Sequence, residues 1–210
     1  MDVSIVIPLY NESESLKELN EWINRSFIVY SFSYEIIYID DGSNDKSWKV
    51  IEEIAKSNNN VKGISFNRNY GKSQALRVGF DECEGKYVAT LDADLQDPPE
   101  ILPKMFEKMK EGYDVVYGKR AERYGESILY KACCWIYYKL AKIFSDIEIP
   151  ENTGDFRLIK REIVDLYLSI PESPRSLRSI FPWLGFNQIG IEYKRDERNL
   201  GKTKYHFLRI

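Results

Sequence analysis

The sequence predicts an α/β protein with a mostly parallel central sheet flanked by helices. Three observations predict it. Short apolar runs alternate with longer stretches of helical period as far as Tyr117. Each of the first four runs ends in a cluster of polar residues. The composition, 43% hydrophobic and 30% charged over 210 residues, is that of an ordinary globular chain long enough to bury a core. Apolar runs without strict alternation suit strands buried on both faces, as parallel sheets require.

Val3–Leu9 reads as the first buried strand, ending around Pro8. Asn11 or Ser13 can cap a helix over about 14–30. Residues 34–39 form a second β-rich run, closed by Asp40-Asp41-Gly42-Ser43, and a helix follows over about 46–57. Residues 61–66 are a third strand and 71–82 a helix, which Gly85 is expected to end. Residues 86–91 make a fourth strand, closed by Asp92-Ala93-Asp94, and Pro98-Pro99 opens another helix, proline being tolerated in a first turn. Residues 113–117 are a fifth strand. Beyond about 118 the alternation breaks down into a long amphipathic segment, a turn at Gly154-Asp155-Phe156-Arg157, one more helix and a last strand over 189–193.

The composition excludes several classes of chemistry. His206 is the single histidine, which argues against a His-rich metal site or a Ser-His-Asp triad. Cys83, Cys133 and Cys134 cannot all pair within the chain and form no Cys-x-x-Cys, which suits a reducing cytosol. The richest apolar stretch, 128–144, is broken by Lys131, Lys139 and Lys142, so no membrane span is expected, and the strand-like N-terminus predicts no signal peptide. The net charge of −3 hides an asymmetry. Residues 1–105 carry 11 basic and 18 acidic side chains, a balance of −7, and residues 106–210 carry 19 and 15, a balance of +4. Nucleic acid is not the expected partner. A cation site on one half and an anion-binding or membrane-facing surface on the other is.

In parallel sheets ligands bind beyond the carboxyl ends of the strands, where the clusters fall: Tyr10-Asn11-Glu12, Asp40-Asp41, Asn67-Arg68-Asn69 and Asp92-Ala93-Asp94. Asp92-Ala93-Asp94-Leu95-Gln96 is the sharpest. Two carboxylates two residues apart, with an amide oxygen nearby, suit one hard cation such as Mg²⁺ or Mn²⁺ that keeps places for phosphate oxygens. The plain structural alternative is a solvated turn before Pro98. Asp40-Asp41-Gly42-Ser43 can present an aspartate to a base or ribose, or simply form a capped turn; Glu12 carries the same ambiguity. Gly71-Lys72 precedes a helix whose N-terminus favours anions, without Walker spacing. Over 127–146, Lys131, Lys139 and Lys142 fall within about 80° of one another on a helix rich in apolar and aromatic residues. Such a helix suits a membrane interface or a solvent-edged core. Asp155 and Arg157 can form a structural pair, or can orient a nucleophile and neutralise charge beside a reacting phosphate.

Val3 through Glu12, Ile39-Asp40-Asp41-Gly42-Ser43, Asn67 through Lys72, Leu91 through Pro99, Asp114 through Arg120, Gly154 through Leu158 and Arg198 through Tyr205 together resemble glycosyltransferase family 2 over essentially the whole chain. The nearest branch is the polyprenyl-phosphate one, with bacterial undecaprenyl-phosphate (bactoprenol) glucosyltransferases and dolichyl-phosphate mannose synthases. The resemblance implies a GT-A (Rossmann-like) fold in one catalytic domain, with 1–118 as the nucleotide-sugar and metal half and 119–210 as the acceptor and membrane-facing half. It implies an inverting, metal-dependent transfer of a hexose from a nucleotide-sugar, with UDP-glucose first, to polyprenyl phosphate. By motif, Pro8, Tyr10, Glu12, Asp40, Asp41, Gly71, Lys72, Asp92 and Ala93 would bind the donor. Asp92, Asp94 and Gln96 would hold Mg²⁺ or Mn²⁺. Asp155 stands where the family places its proposed base. Arg120, Arg157, Arg198 and Lys204 would bind the acceptor phosphate or neutralise the leaving group.

Thr203 stands where the family usually has serine. The chain ends where many bacterial relatives continue into membrane helices, so those helices are expected to be missing from it. The expected place of action is the cytoplasmic face of the plasma membrane, docked through 127–146 and the C-terminus, by a chain that itself behaves as a soluble domain. A homo-oligomer is compatible with the sequence. The competing readings are a family-2 transferase with a soluble or polysaccharide acceptor and a catalytically silent nucleotide-sugar binding domain.

Overall fold

One seven-stranded sheet organises the residues described in this computed structural model, which are 1–28, 32–121, 153–171 and 177–194. The strands are β1 (Val3–Leu9), β2 (Tyr34–Asp40), β3 (Val61–Ser65), β4 (Tyr87–Thr90), β5 (Val115–Arg120), β6 (Thr153–Lys160) and β7 (Gln188–Tyr193). The helices are α1 (Leu16–Ile28), α2 (Ser47–Ser57), α3 (Lys72–Asp81), α4 (Leu102–Lys110), preceded by a 3₁₀ turn at Pro99–Ile101, α5 (Arg161–Ser169) and α6 (Leu177–Trp183).

The strand order is β3-β2-β1-β4-β6-β5-β7. β3, β2, β1 and β4 run parallel, and β7 runs parallel to β5. Among the described strands only β6 runs against its neighbours, pairing Thr90 with Arg157 on one side and Val116 with Leu158 on the other. β1 lies at the point where the order reverses, between β2 and β4. In open α/β sheets such a reversal leaves a crevice beyond the strand ends, here flanked by the loops after β1 and β4.

β1 shows why the sheet is buried on both faces. Val3, Ile5, Ile7 and Leu9 pack with α1, α2 and α4, while Val6 packs on the opposite side with Ala75, Leu76 and Phe80 of α3. Side chains alternate across a strand, so an unbroken apolar run feeds two cores. Each fully buried Val, Leu, Ile or Phe contributes roughly 1.5–3 kcal/mol.

Three local expectations are corrected. Gly154-Asp155-Phe156-Arg157 is part of strand β6, not a turn. Two helices follow it, α5 and α6, not one. Helix α3 ends at Asp81 with Glu82 as its cap. Gly85 instead lies against β1, where a Cβ would come within 2.5 Å of the Ser4 backbone nitrogen. Residues 127–146, expected as a helix, together with Arg198 and Lys204 lie outside the described residues.

Candidate active site

The loops after β1, β2 and β3 are laced together by backbone-to-side-chain hydrogen bonds. The Asn11 and Glu12 N–H groups donate to Ser43 Oγ at 2.8 Å and Ser47 Oγ at 2.9 Å. The Asn44 N–H donates to Asn11 Oδ1 at 2.7 Å, and its amide donates to the Tyr10 hydroxyl at 3.2 Å. Asn11 holds a φ of 55°, in the left-handed region where asparagine is tolerated. Asp40 accepts the Ser43 N–H at 2.9 Å, so one of its oxygens serves the turn.

Asp41 is buried and accepts two backbone N–H bonds, from Tyr70 at 2.7 Å and Gly71 at 2.9 Å. Burial raises its pKa above the ordinary value, and the two N–H donors offset only part of that. Gly42, at φ 71°, lets the Arg68 backbone close over this turn. A Cβ there would lie 2.4 Å from the Arg68 carbonyl carbon. The clamp fixes Tyr70 and Gly71, and Gly71 is the cap of α3, so it also fixes where Lys72 begins.

Lys72 reaches across the crevice. Its Nζ lies 2.5 Å from Oδ1 of Asp92 and 2.7 Å from Oδ2 of Asp155. Arg178 Nε on α6 adds a longer contact to Asp155, at 3.9 Å. Asp155 arrives because β6 is antiparallel. Its first residues therefore sit at the carboxyl end of β4, where Thr90 Oγ1 donates to the Asp155 carbonyl. Burial pushes the Asp155 carboxyl up, but Lys72, then Arg178 and Arg157, overcome this and hold it below the usual carboxylate range. Burial likewise pulls the Lys72 ammonium down, and Asp92 and Asp155 overcome that and raise it.

The loop after β4 places Asp92, Asp94 and Gln96 in partly exposed positions, and Ala93, Leu95 and Asp97 inward. Leu95 has a φ of 61°, which costs a branched side chain strain and marks a loop held by its surroundings. Asp97 is one such hold. It is buried and accepts the Tyr193 hydroxyl at 2.5 Å, tying the loop to the end of β7. The Gln96 N–H donates to Asp94 Oδ1 at 3.3 Å. No group of three His, Cys, Asp or Glu side chains able to hold a metal forms among the described residues. Two carboxylates and an amide oxygen still fit Mg²⁺ or Mn²⁺, which take one or two carboxylates and complete their shell with water and phosphate oxygens. That Asp92 already holds an ammonium shows that this corner attracts a cation.

Tyr10, Glu12, Asp40, Asp41, Gly71, Asp92, Asp94 and Gln96 lie on loops and strand ends, Lys72 opens α3 and Asp155 lies near the start of β6, all toward the carboxyl ends of the parallel strands. Pro8 and Ala93 are there too, and they, like Asp40 and Asp41, are buried. Arg120, at the end of β5, lies against Gly154: a Cβ on that glycine would meet Arg120 Nη2 at 2.7 Å. Arg157 does not face an acceptor. It is 0% exposed, donates to the Leu177 carbonyl at 3.1 Å and sits over the Tyr117 and Phe181 rings. The expected contact with acceptor phosphate is corrected to a buried support beside Asp155. Burial pulls its guanidinium pKa down to about 10, so it stays charged at neutral pH. Thr90, Asp97, Arg178 and Tyr193 were not singled out from the sequence. Their parts depend on long-range pairing, which no local motif signals.

The family described as Glycosyl transferase family 2 matches residues 4–168. The chain is 40% identical over 202 residues to an uncharacterized glycosyltransferase of Bacillus subtilis, covering 96% of this chain and 62% of that protein. It is 36% identical over 206 residues to a prophage bactoprenol glucosyl transferase homolog of Escherichia coli, covering 98% of this chain and 67% of that protein. The chain thus spans less than two thirds of the Bacillus relative. In three dimensions it is similar to glucosyl-3-phosphoglycerate synthase of Mycobacterium tuberculosis, solved with Mn²⁺, UDP-glucose and phosphoglyceric acid. That likeness has a TM-score of 0.67 at 20% identity and covers 95% of this chain and 73% of the other. It establishes the GT-A fold.

Proposed function

The chain belongs to glycosyltransferase family 2, and from that premise we propose that it is the catalytic domain of a polyprenyl-phosphate hexosyltransferase. The reaction is an inverting transfer of a hexose, glucose from UDP-glucose first, to undecaprenyl phosphate at the cytosolic face of the membrane. The observation that carries this reading is the 36% identity to bactoprenol glucosyl transferase relatives over 98% of the chain. The solved GT-A neighbour that binds UDP-glucose with Mn²⁺ supports the choice of donor.

An acceptor phosphate oxygen attacks the anomeric carbon as the bond to the diphosphate breaks, and the nucleoside diphosphate leaves. A phosphate monoester has a second pKa near ~6, so at neutral pH the nucleophile is largely deprotonated already. Asp155, held charged by Lys72, orients the acceptor and takes residual protons. Lys72 and Arg178 beside it offset the repulsion between that carboxylate and an anionic acceptor. The Tyr10–Glu12 and Asp40–Asp41 loops hold the nucleoside. Asp92, Asp94 and Gln96 would hold Mg²⁺ or Mn²⁺, which when bound neutralises charge on the departing diphosphate. Arg120, which lies against Gly154, is assigned to the acceptor phosphate together with Arg198 and Lys204. Among the described residues no helix is long and apolar enough to cross a membrane. Docking on the membrane is assigned to 127–146, with its three lysines, and to the basic C-terminal residues.

The test is a donor screen with undecaprenyl phosphate, extracted into organic solvent and read by mass spectrometry. A hexosyl-phospholipid is expected. Transfer only to soluble phosphorylated or sugar acceptors would replace the lipid reading.

A further inference from the structure

Three elements converge on a single ammonium. Lys72 is the first residue of α3, Asp92 follows β4, and Asp155 lies near the start of β6. The Asp41 clamp on Tyr70 and Gly71 anchors the base of Lys72, and its tip joins the two acids at 2.5 and 2.7 Å. All three side chains are mostly shielded from water, with 32%, 23% and 15% exposure for Lys72, Asp92 and Asp155. An ammonium on Asp92 Oδ1 and a divalent cation held by that same carboxylate repel each other across a short distance with little screening. They are therefore competitors for Asp92.

We propose that Lys72 is an exchangeable counter-cation that occupies Asp92 until a divalent cation and the donor diphosphate arrive together. This rests on the assignment of Asp92 and Asp94 to metal. Metal alone must evict the ammonium from Asp92 and leave it without that partner. Metal with a diphosphate offers the displaced ammonium new anionic oxygens, while Asp155 still holds it from the other side. Lys72 thus makes metal binding depend on the nucleotide. It acts as a positioning residue, offsetting one negative charge of the empty site and discouraging metal from loading without donor.

The test is Mn²⁺ binding followed by electron paramagnetic resonance, with and without UDP, on wild type, Lys72→Met and Arg178→Gln. Wild type is expected to bind Mn²⁺ weakly alone and far more tightly with UDP. Lys72→Met is expected to bind Mn²⁺ alone at least about fivefold tighter, the factor that a pair of unit charges at 4 Å supplies even in bulk water, an energy that a divalent cation doubles. It is also expected to lose most of the UDP enhancement. Arg178→Gln, which removes a cation near Asp155 but not from Asp92, is expected to keep that enhancement. Lys72→Gln carries the same expectation should Lys72→Met not fold. A lysine variant that binds Mn²⁺ alone no tighter than wild type, or an Arg178 variant that loses the enhancement equally, would overturn the proposal. Wild type that binds no Mn²⁺ even with UDP would instead overturn the metal assignment beneath it.

Discussion

Nζ of Lys72 lies 2.7 Å from Oδ2 of Asp155, joining α3 to the start of the one strand that runs against its neighbours. Burial alone would make Asp155 a weaker acid, yet Lys72 and the nearby arginines leave its pKa lowered. The folded carboxyl is therefore charged at every pH above the ordinary carboxylate range and loses its charge only below it. The acid limb of the transfer rate then belongs to the acceptor phosphate, near pH ~6. In Asp155→Asn the rate falls but this limb stays where it is. A pH profile of kcat/KM for both proteins measures it, and a limb that moves with the substitution would assign the titration to Asp155.

Asp41 supports the donor loops through the backbone. Asp41→Ala leaves the Tyr70 and Gly71 N–H groups without their acceptor. The expected loss of stability is about 1–3 kcal/mol. Gly71 caps α3, so Lys72 shifts with it, and the donor KM rises. Thermal melts and a donor titration check the two effects separately.

Gly42→Ala places a methyl 2.4 Å from the Arg68 carbonyl carbon at a φ of 71°. Neither the turn nor the crossing backbone can yield cheaply. The variant is expected to lose more than about 1 kcal/mol in urea unfolding, beyond what an ordinary Gly-to-Ala exchange changes.

Glu35 offers a test away from the crevice. Its side chain is buried, which alone raises its pKa, but Ser4, Lys62 and the Glu84 N–H together lower it. Between the folded and unfolded values the unfolded chain binds more protons. The contribution of Glu35 is therefore full above the unfolded value and is lost as pH falls through the folded one. The stability gap between wild type and Glu35→Gln is expected to be constant above about pH 5.5 and to shrink in acid, given an unfolded pKa of about 4.3. Urea unfolding at a series of pH values measures it.

The first five strands and four helices were readable because each is a local signal: an apolar run, a polar closure, a helical period. The crevice was readable for the same reason, since Tyr10–Glu12 and Asp92–Gln96 follow strands and Asp40–Asp41 closes one. β6 was not. Its direction depends on pairing with β4 and β5 across a long intervening segment, so Gly154-Asp155-Phe156-Arg157 inside a strand reads locally as a turn. Arg157 misled for a related reason. A charged residue beside Asp155 suggests a ligand contact, but its place in β6 puts it under α6, where carbonyls and aromatic rings enclose it. Lys72 was assigned to the donor by motif, and its double pairing became visible only when α3, β4 and β6 met.

The central claim is that the Asp92–Gln96 loop binds a nucleotide-sugar through a divalent cation. Calorimetry of UDP-glucose binding with and without Mn²⁺, on wild type and Asp94→Ala, tests it most directly. Wild type is predicted to bind UDP-glucose with a large Mn²⁺-dependent gain in affinity that Asp94→Ala loses. An Asp94→Ala protein that keeps the full gain would contradict the account.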